Sequence, residues 1–162
     1  MSFATPSKTF YNRCIRILSN KHGRKYMHTE NLVKLLNKVK TIALVGASQK
    51  THRPSYEVMA FLQARGYKIY PVNPTLAGQR ILGETVYGQL KDLPERVDMV
   101  DIFRNSEAAG ETCQEVIALP IAKRPNIVWM QIGVINEPAA KQLKLQGIQV
   151  IMNECPKKIL GG

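Results

Sequence analysis

Residues 41–55 read Thr-Ile-Ala-Leu-Val-Gly-Ala-Ser-Gln-Lys-Thr-His-Arg-Pro-Ser, and this stretch decides the fold class. The apolar run TIALVG (41–46) is short, unbroken and closed by a glycine, as expected of a parallel strand buried on both faces. Pro54 then opens a helix, where its missing N–H costs nothing. Tyr56, Met59, Ala60 and Leu62 give that helix an apolar face, and Gly66 stops it. Between strand and helix lie small residues and two cations. Gly46 allows a tight turn, Ala47 keeps the wall low and Ser48 adds a hydroxyl, while Lys50 and Arg53 bring charge. A loop of this kind presents main-chain N–H groups to a phosphate at a helix start.

Outward from this unit the alternation repeats. ENLVKLLNKV (30–39) places Leu32, Leu35, Leu36 and Val39 at helical spacing before the first strand. YKIYPV (67–72) is the second strand, closed by Asn73-Pro74. Residues 73–96 hold turn formers and at most a short irregular helix. VDMVDIF (97–103), NIVWMQIG (126–133) and IQVIM (148–152) are strands three to five. Between them run a helix over about 106–118, capped by Asn105 or Ser106, and another capped by Asn136, with Pro138 in its first turn. The expected architecture is α/β: a three-layer open sheet of about five mostly parallel strands with helices on both faces. Its ligand crevice lies beyond the carboxyl ends of the strands, which directs attention to loops 46–54, 71–75, 103–106, 131–135 and 153–156.

The composition, 44% hydrophobic and 22% charged over 162 residues, suits one globular domain. Three well-separated cysteines, Cys14, Cys113 and Cys155, form neither a disulfide framework nor a metal cluster, so a reducing, cytoplasmic setting is expected, with no apolar run of membrane-spanning length. The net charge is +11, of which residues 1–29 supply +6 without a single acid. Residues 1–29 are therefore set apart as a basic, flexible tail and 30–162 as a single domain. A nucleic-acid partner is disfavoured, because the tail lacks a recognition motif.

The loops also narrow the ligand. A dinucleotide fingerprint needs glycines at 48 and 51, where Ser48 and Thr51 stand. An NAD site also wants an acid at the end of strand two, and Pro71, Val72, Asn73 and Pro74 provide none. Two prolines make that turn a stiff apolar surface, with Asn73 able to donate and accept. For catalysis there is little. Asp98 and Asp101 fall on opposite faces of one strand, His52 is read as supporting the loop, and Asp101 is read as orienting Arg104 or capping a helix. Cys155, at the crevice edge, is weighed as a reactive thiol against a small buried hydrophobe. Trp129 is read as core.

IALVGAS, the Arg53-Pro54-Ser55 helix start, YPVNP, VDMVDIFRNSE, WMQIGVIN and Cys155-Pro156 together resemble the small stand-alone CoA-binding proteins of bacteria. Their Rossmann-type domain is similar to the CoA-binding domain of the succinyl-CoA synthetase alpha subunit. The likeness covers about residues 31–159, with the stretch Pro120 to Pro125 longer than the pattern leads one to expect. It implies a non-catalytic module that binds coenzyme A or an acyl-CoA. The diphosphate would sit at Gly46, Ala47 and Ser48, with Lys50, Arg53 and Pro54 beside it. The adenosine end would lie by Pro71, Val72, Asn73 and Pro74. The pantetheine arm would pass Phe103 and Arg104 toward Gln131 and Gly133. The alternatives are a small NAD(P)- or acyl-CoA-dependent enzyme, or nucleic-acid binding through the tail.

Overall fold

The computed structural model describes residues 21–162, with side chains from residue 28 onward. The chain divides between Leu36 and Asn37 into two units. Of the first, helix α1 (Lys21–Asn37) is described, so the helix expected over 30–39 begins earlier and ends sooner. The remainder of the expected basic tail, residues 1–20, lies outside the described residues.

The second unit is a parallel sheet built from β1 (Thr41–Val45), β2 (Lys68–Val72), β5 (Met99–Ile102), β6 (Ile127–Met130) and β7 (Gln149–Ile151). Their order across the sheet is β2-β1-β5-β6-β7, and every neighbouring pair is parallel. The strands are shorter by one or more residues than their apolar runs, because the runs extend past the hydrogen-bonded pairing at one or both ends. β1 has β2 on one side and β5 on the other, so the chain reverses direction across the sheet between β1 and β5. That switch point is where such sheets open a crevice.

Alternate residues of the strands face opposite layers. Val45, Val100, Ile102, Val128 and Met130 face a core completed by Ala109, Cys113 and Val116 of helix α3 (Ser106–Ala118) and by Ala139 and Leu143 of α4 (Glu137–Leu145). Ile42, Leu44, Met99 and Trp129 take the other face, on the side of helix α2 (Pro54–Ala64), which buries Val58, Met59 and Leu62. Trp129 is fully buried and its indole N–H donates to the Glu154 carbonyl at 2.8 Å, so it belongs to the core as expected.

Asn105 and Asn136 cap α3 and α4 through their side-chain oxygens, which accept from Ala108 and Ala139 at 2.8 and 3.0 Å. The segment 73–96 is more regular than its turn formers suggest. Two 3₁₀ turns flank a two-stranded hairpin of β3 (Arg80–Ile81) and β4 (Glu84–Thr85), whose turn holds Leu82 and Gly83 at φ 48 and 83. The stretch 120–125 also has a use: Arg124 donates to the carbonyls of Ile117 and Leu119 and so closes the end of α3.

Candidate functional site at the strand ends

Gly46 starts the site. It sits at φ +86, and a Cβ there would meet the Phe103 carbonyl oxygen at 2.2 Å. The backbone after β5 therefore runs against the glycine, and no side chain fits between them. The main-chain N–H groups of Gly46 and Ala47 do not stand open to a ligand, as the loop pattern leads one to expect. Both donate to the Val72 carbonyl, at 3.0 and 3.3 Å. That bond ties the loop to β2 and leaves the open N–H groups further along: those of Ser48, Gln49 and Ser55 have no partner among the described residues. Ser48 Oγ accepts from the Lys50 N–H at 3.1 Å and folds the loop back on itself. Arg53 occupies the N-cap of α2 and, like Lys50, is exposed with no ion pair among the described residues.

These residues line a crevice of about 940 Å³, at the upper end of the size usual for small-molecule sites. Of the residues singled out in the sequence, Gly46, Ala47, Ser48, Lys50, Arg53, Pro54, Asn73, Phe103, Arg104 and Gln131 line it together. Pro71, Val72, Pro74 and Gly133 do not. Pro71 and Val72 are buried and act through their carbonyls, Pro71 accepting from Tyr87 and Val72 from the glycine loop. Gly133 donates its N–H to Asn153 Oδ1 at 2.7 Å. Asn73 is mostly occupied: Nδ2 donates to the Ala47 carbonyl, while Oδ1 accepts from the N–H and hydroxyl of Thr75.

Arg104 lines the crevice but its guanidinium turns back on α3, toward the Ala108 carbonyl, the Thr112 hydroxyl and Glu111, each at 3.3–3.4 Å. Asp101 neither orients Arg104 nor caps a helix. It is fully buried, accepts from Gln131 Nε2 at 2.7 Å through Oδ1, and leaves Oδ2 without a partner. Burial pushes its carboxyl up to about 7, against a smaller opposing effect of the Gln131 hydrogen bond. His52 is exposed and hydrogen-bonds nothing among the described residues. Cys155 is buried and lines the crevice, and Cys113 lies in the core, where burial pushes its thiol up to about 11.

Several lining residues carried no signal in the sequence. Lys157 and Lys158 arrive at the rim on the four-residue helix α5 (Pro156–Ile159), more than 100 residues after the glycine loop, and Lys157 Nζ lies 4.0 Å from the Glu57 carboxylate of α2. Ile132 and Val134, from the loop 131–135 that the sequence singled out, and Leu76 add apolar wall. No periodicity marks Lys157 and Lys158; only the docking of the chain end beside α2 brings them in.

A parallel five-stranded sheet with this loop at its switch point matches a known family model, described as CoA binding domain, over residues 40–161. The chain belongs to that CoA-binding domain family. An uncharacterized protein of Bacillus subtilis, YneT, is 36% identical over 123 residues, covering 76% of this chain and 87% of that protein. An ADP-forming acetate–CoA ligase of Archaeoglobus fulgidus is 37% identical over 78 residues, but these make up 47% of this chain and only 11% of the ligase. A solved structure from Thermus thermophilus superposes with a TM-score of 0.75 at 36% identity, covering 82% of this chain and 96% of that one. In the CoA-binding domain described here, no helix among the described residues is long and apolar enough to cross a membrane. Nor do the described residues contain a cluster of three or more potential metal-binding His, Cys, Asp or Glu side chains.

Proposed function

We propose that this chain binds coenzyme A, free or acylated, in the crevice at the β1/β5 switch point, and that it does so as a binding module in the cytoplasm. One observation supports the reading above the others. Lys50 and Arg53 stand without counter-ions beside the unbonded N–H groups of Ser48, Gln49 and Ser55, at the positive end of the eleven-residue helix α2. CoA brings about four negative charges on its diphosphate and 3′-phosphate. A rim with free cations and a low-dielectric apolar wall concentrates such a ligand. Family membership points the same way, and so does the ligase relative, whose printed name includes CoA.

In this arrangement the diphosphate meets Ser48, Gln49 and the start of α2. Arg53 is the principal fork, since a guanidinium grips phosphate in two places. Lys157 and Lys158 line the same crevice, with Lys157 4.0 Å from Glu57 on α2. Arg104, already held by α3, forms wall rather than fork. Phe103, Val134 and Gln131 flank the channel for the pantetheine arm. Residues 1–29 take no part. The free thiols of Cys113 and Cys155 suit a reducing compartment.

Isothermal titration with CoA, NAD, NADP and ATP tests the reading. Micromolar binding of CoA, with the other three weaker by at least about tenfold, is the expected result. A preference for NAD or NADP would leave the fold intact and overturn the ligand.

A further inference from the structure

Beneath the crevice floor lies a pair that the phosphate site does not use. Asp101 on β5 and Gln131, just past the end of β6, project from the same face of the sheet as diagonal neighbours. Their contact is a single hydrogen bond, Gln131 Nε2 to Asp101 Oδ1, at 2.7 Å. Asp101 is wholly enclosed, and its Oδ2 is the one buried side-chain polar atom without a partner among the described residues. Gln131 Oε1 makes no hydrogen bond either but is not fully enclosed, so it opens toward the crevice that Gln131 lines.

We propose that Asp101 is a positioning residue whose carboxyl decides which end of the Gln131 amide is turned to the ligand. The chemistry is that of donor and acceptor matching. An ionised carboxylate only accepts, so it must face Nε2, and the crevice floor then offers the acceptor Oε1. A neutral carboxyl with its proton on Oδ2 would bury a donor with no acceptor, at a cost of about 1–3 kcal/mol. With the proton on Oδ1 it can donate to Oε1, which requires the amide to turn over and present its N–H groups to the crevice. The floor thus offers an acceptor when Asp101 is ionised and a donor when it is neutral.

Charged groups nearby do not set this balance. Glu57 of α2, Lys157 and Lys158 of α5, Lys50 and Arg53 of the glycine loop and Arg104 after β5 make no hydrogen bond or ion pair with the carboxyl. What acts on it is burial, opposed by Gln131, and together they put its titration at about 7. The change of floor therefore falls within the physiological range. The ligand group it reads is an amide, of which the pantetheine arm has two. In that respect the inference rests on the CoA reading, whereas the coupling within the pair does not.

Two measurements separate these. In the ligand-free protein, ¹⁵N NMR of the Gln131 side-chain amide should titrate with a midpoint near the carboxyl's, about 7. In Asp101→Asn it should not. An amide that stays flat across that range in the wild type overturns the proposal, and this needs no variant to fold. Titration of CoA at about pH 6 and about pH 8.5 then reads the consequence. Affinity in the wild type should change between the two pH values by about 3- to 10-fold more than in Asp101→Asn or in Gln131→Met, where the ligand's own phosphate titration remains. Equal pH ratios in wild type and both variants would overturn ligand selection by the pair. A titrating amide without CoA binding at any pH would support the coupling and overturn the ligand reading instead.

Discussion

The two rims of the sheet use the same residue types to opposite ends. At the amino-terminal rim Arg96, Arg124 and Lys68 are engaged by the protein. Arg96 donates to the Arg124 carbonyl and to Asn126. Arg124 donates to Ile117, Leu119 and Gln146. Lys68 pairs with Glu95 and lies over the Tyr70 ring. Asp98 accepts from the N–H groups of Lys40 and Thr41, fastening the chain as it enters β1. At the carboxyl-terminal rim, Lys50 and Arg53 have no counter-ion among the described residues and three nearby N–H groups are unbonded. A cation that already has carbonyls or carboxylates within reach stabilises the fold, and one that lacks them is available to a ligand. The placement of partners, rather than the count of basic residues, marks the binding side. Arg104 and Lys157 are the exceptions at the crevice: Arg104 is held by α3, and Lys157 lies 4.0 Å from the Glu57 carboxylate.

The comparison is broken most severely at Gly46. Replacing it with alanine forces a side chain onto the Phe103 carbonyl and strains a left-handed backbone. A loss of more than about 4 kcal/mol in denaturant unfolding is expected. A loss below about 1 kcal/mol would mean that β1 and β5 do not close on each other as described.

Asp101 gives the next largest effect, through pH. Its carboxyl takes a proton more readily folded, at about 7, than at its ordinary 3.8. The neutral form is therefore favoured by folding. Its contribution is intact below about pH 4 and is lost as the pH rises through 7. Thermal unfolding of wild type against Asp101→Asn should show the gap moving in the variant's favour from pH 5 to pH 8, by on the order of 2–4 kcal/mol. A gap independent of pH would place the titration elsewhere.

Arg124→Ala sharpens the comparison at the far rim. It strips donors from the end of α3 and should cost about 2 kcal/mol of stability, with CoA affinity unmoved. Arg53→Ala is the mirror case: CoA affinity weaker by about 1–2 kcal/mol and unfolding within about 0.5 kcal/mol of wild type. If both variants lowered stability alone, the distinction between the rims would fail.

Much of this was legible in the chain. The buried run TIALVG, the capping asparagines Asn105 and Asn136 and the proline at the head of α2 each obey a local rule, and together they set the alternation of strand and helix. The hairpin at 80–85 was not legible, because Leu82 holds a left-handed position where asparagine or glycine usually gives the signal. Arg124 was also illegible, since a helix cap from beyond the helix leaves no pattern.

By itself the sequence determined which segments form strands and helices and which of them bury, and hence that a crevice lies beyond the carboxyl ends of the strands. Those outcomes follow from period, turn residues and chain direction, which act between neighbours. Only the tertiary structure decided which polar groups at that crevice remain open. The Gly46 and Ala47 N–H groups were taken by Val72, the Arg104 guanidinium by α3 and the Asp101 carboxyl by Gln131, while Lys157 and Lys158 joined the rim from the chain end. A hydrogen bond is settled by distance and angle between residues far apart in the chain, and spacing along the sequence holds no record of that.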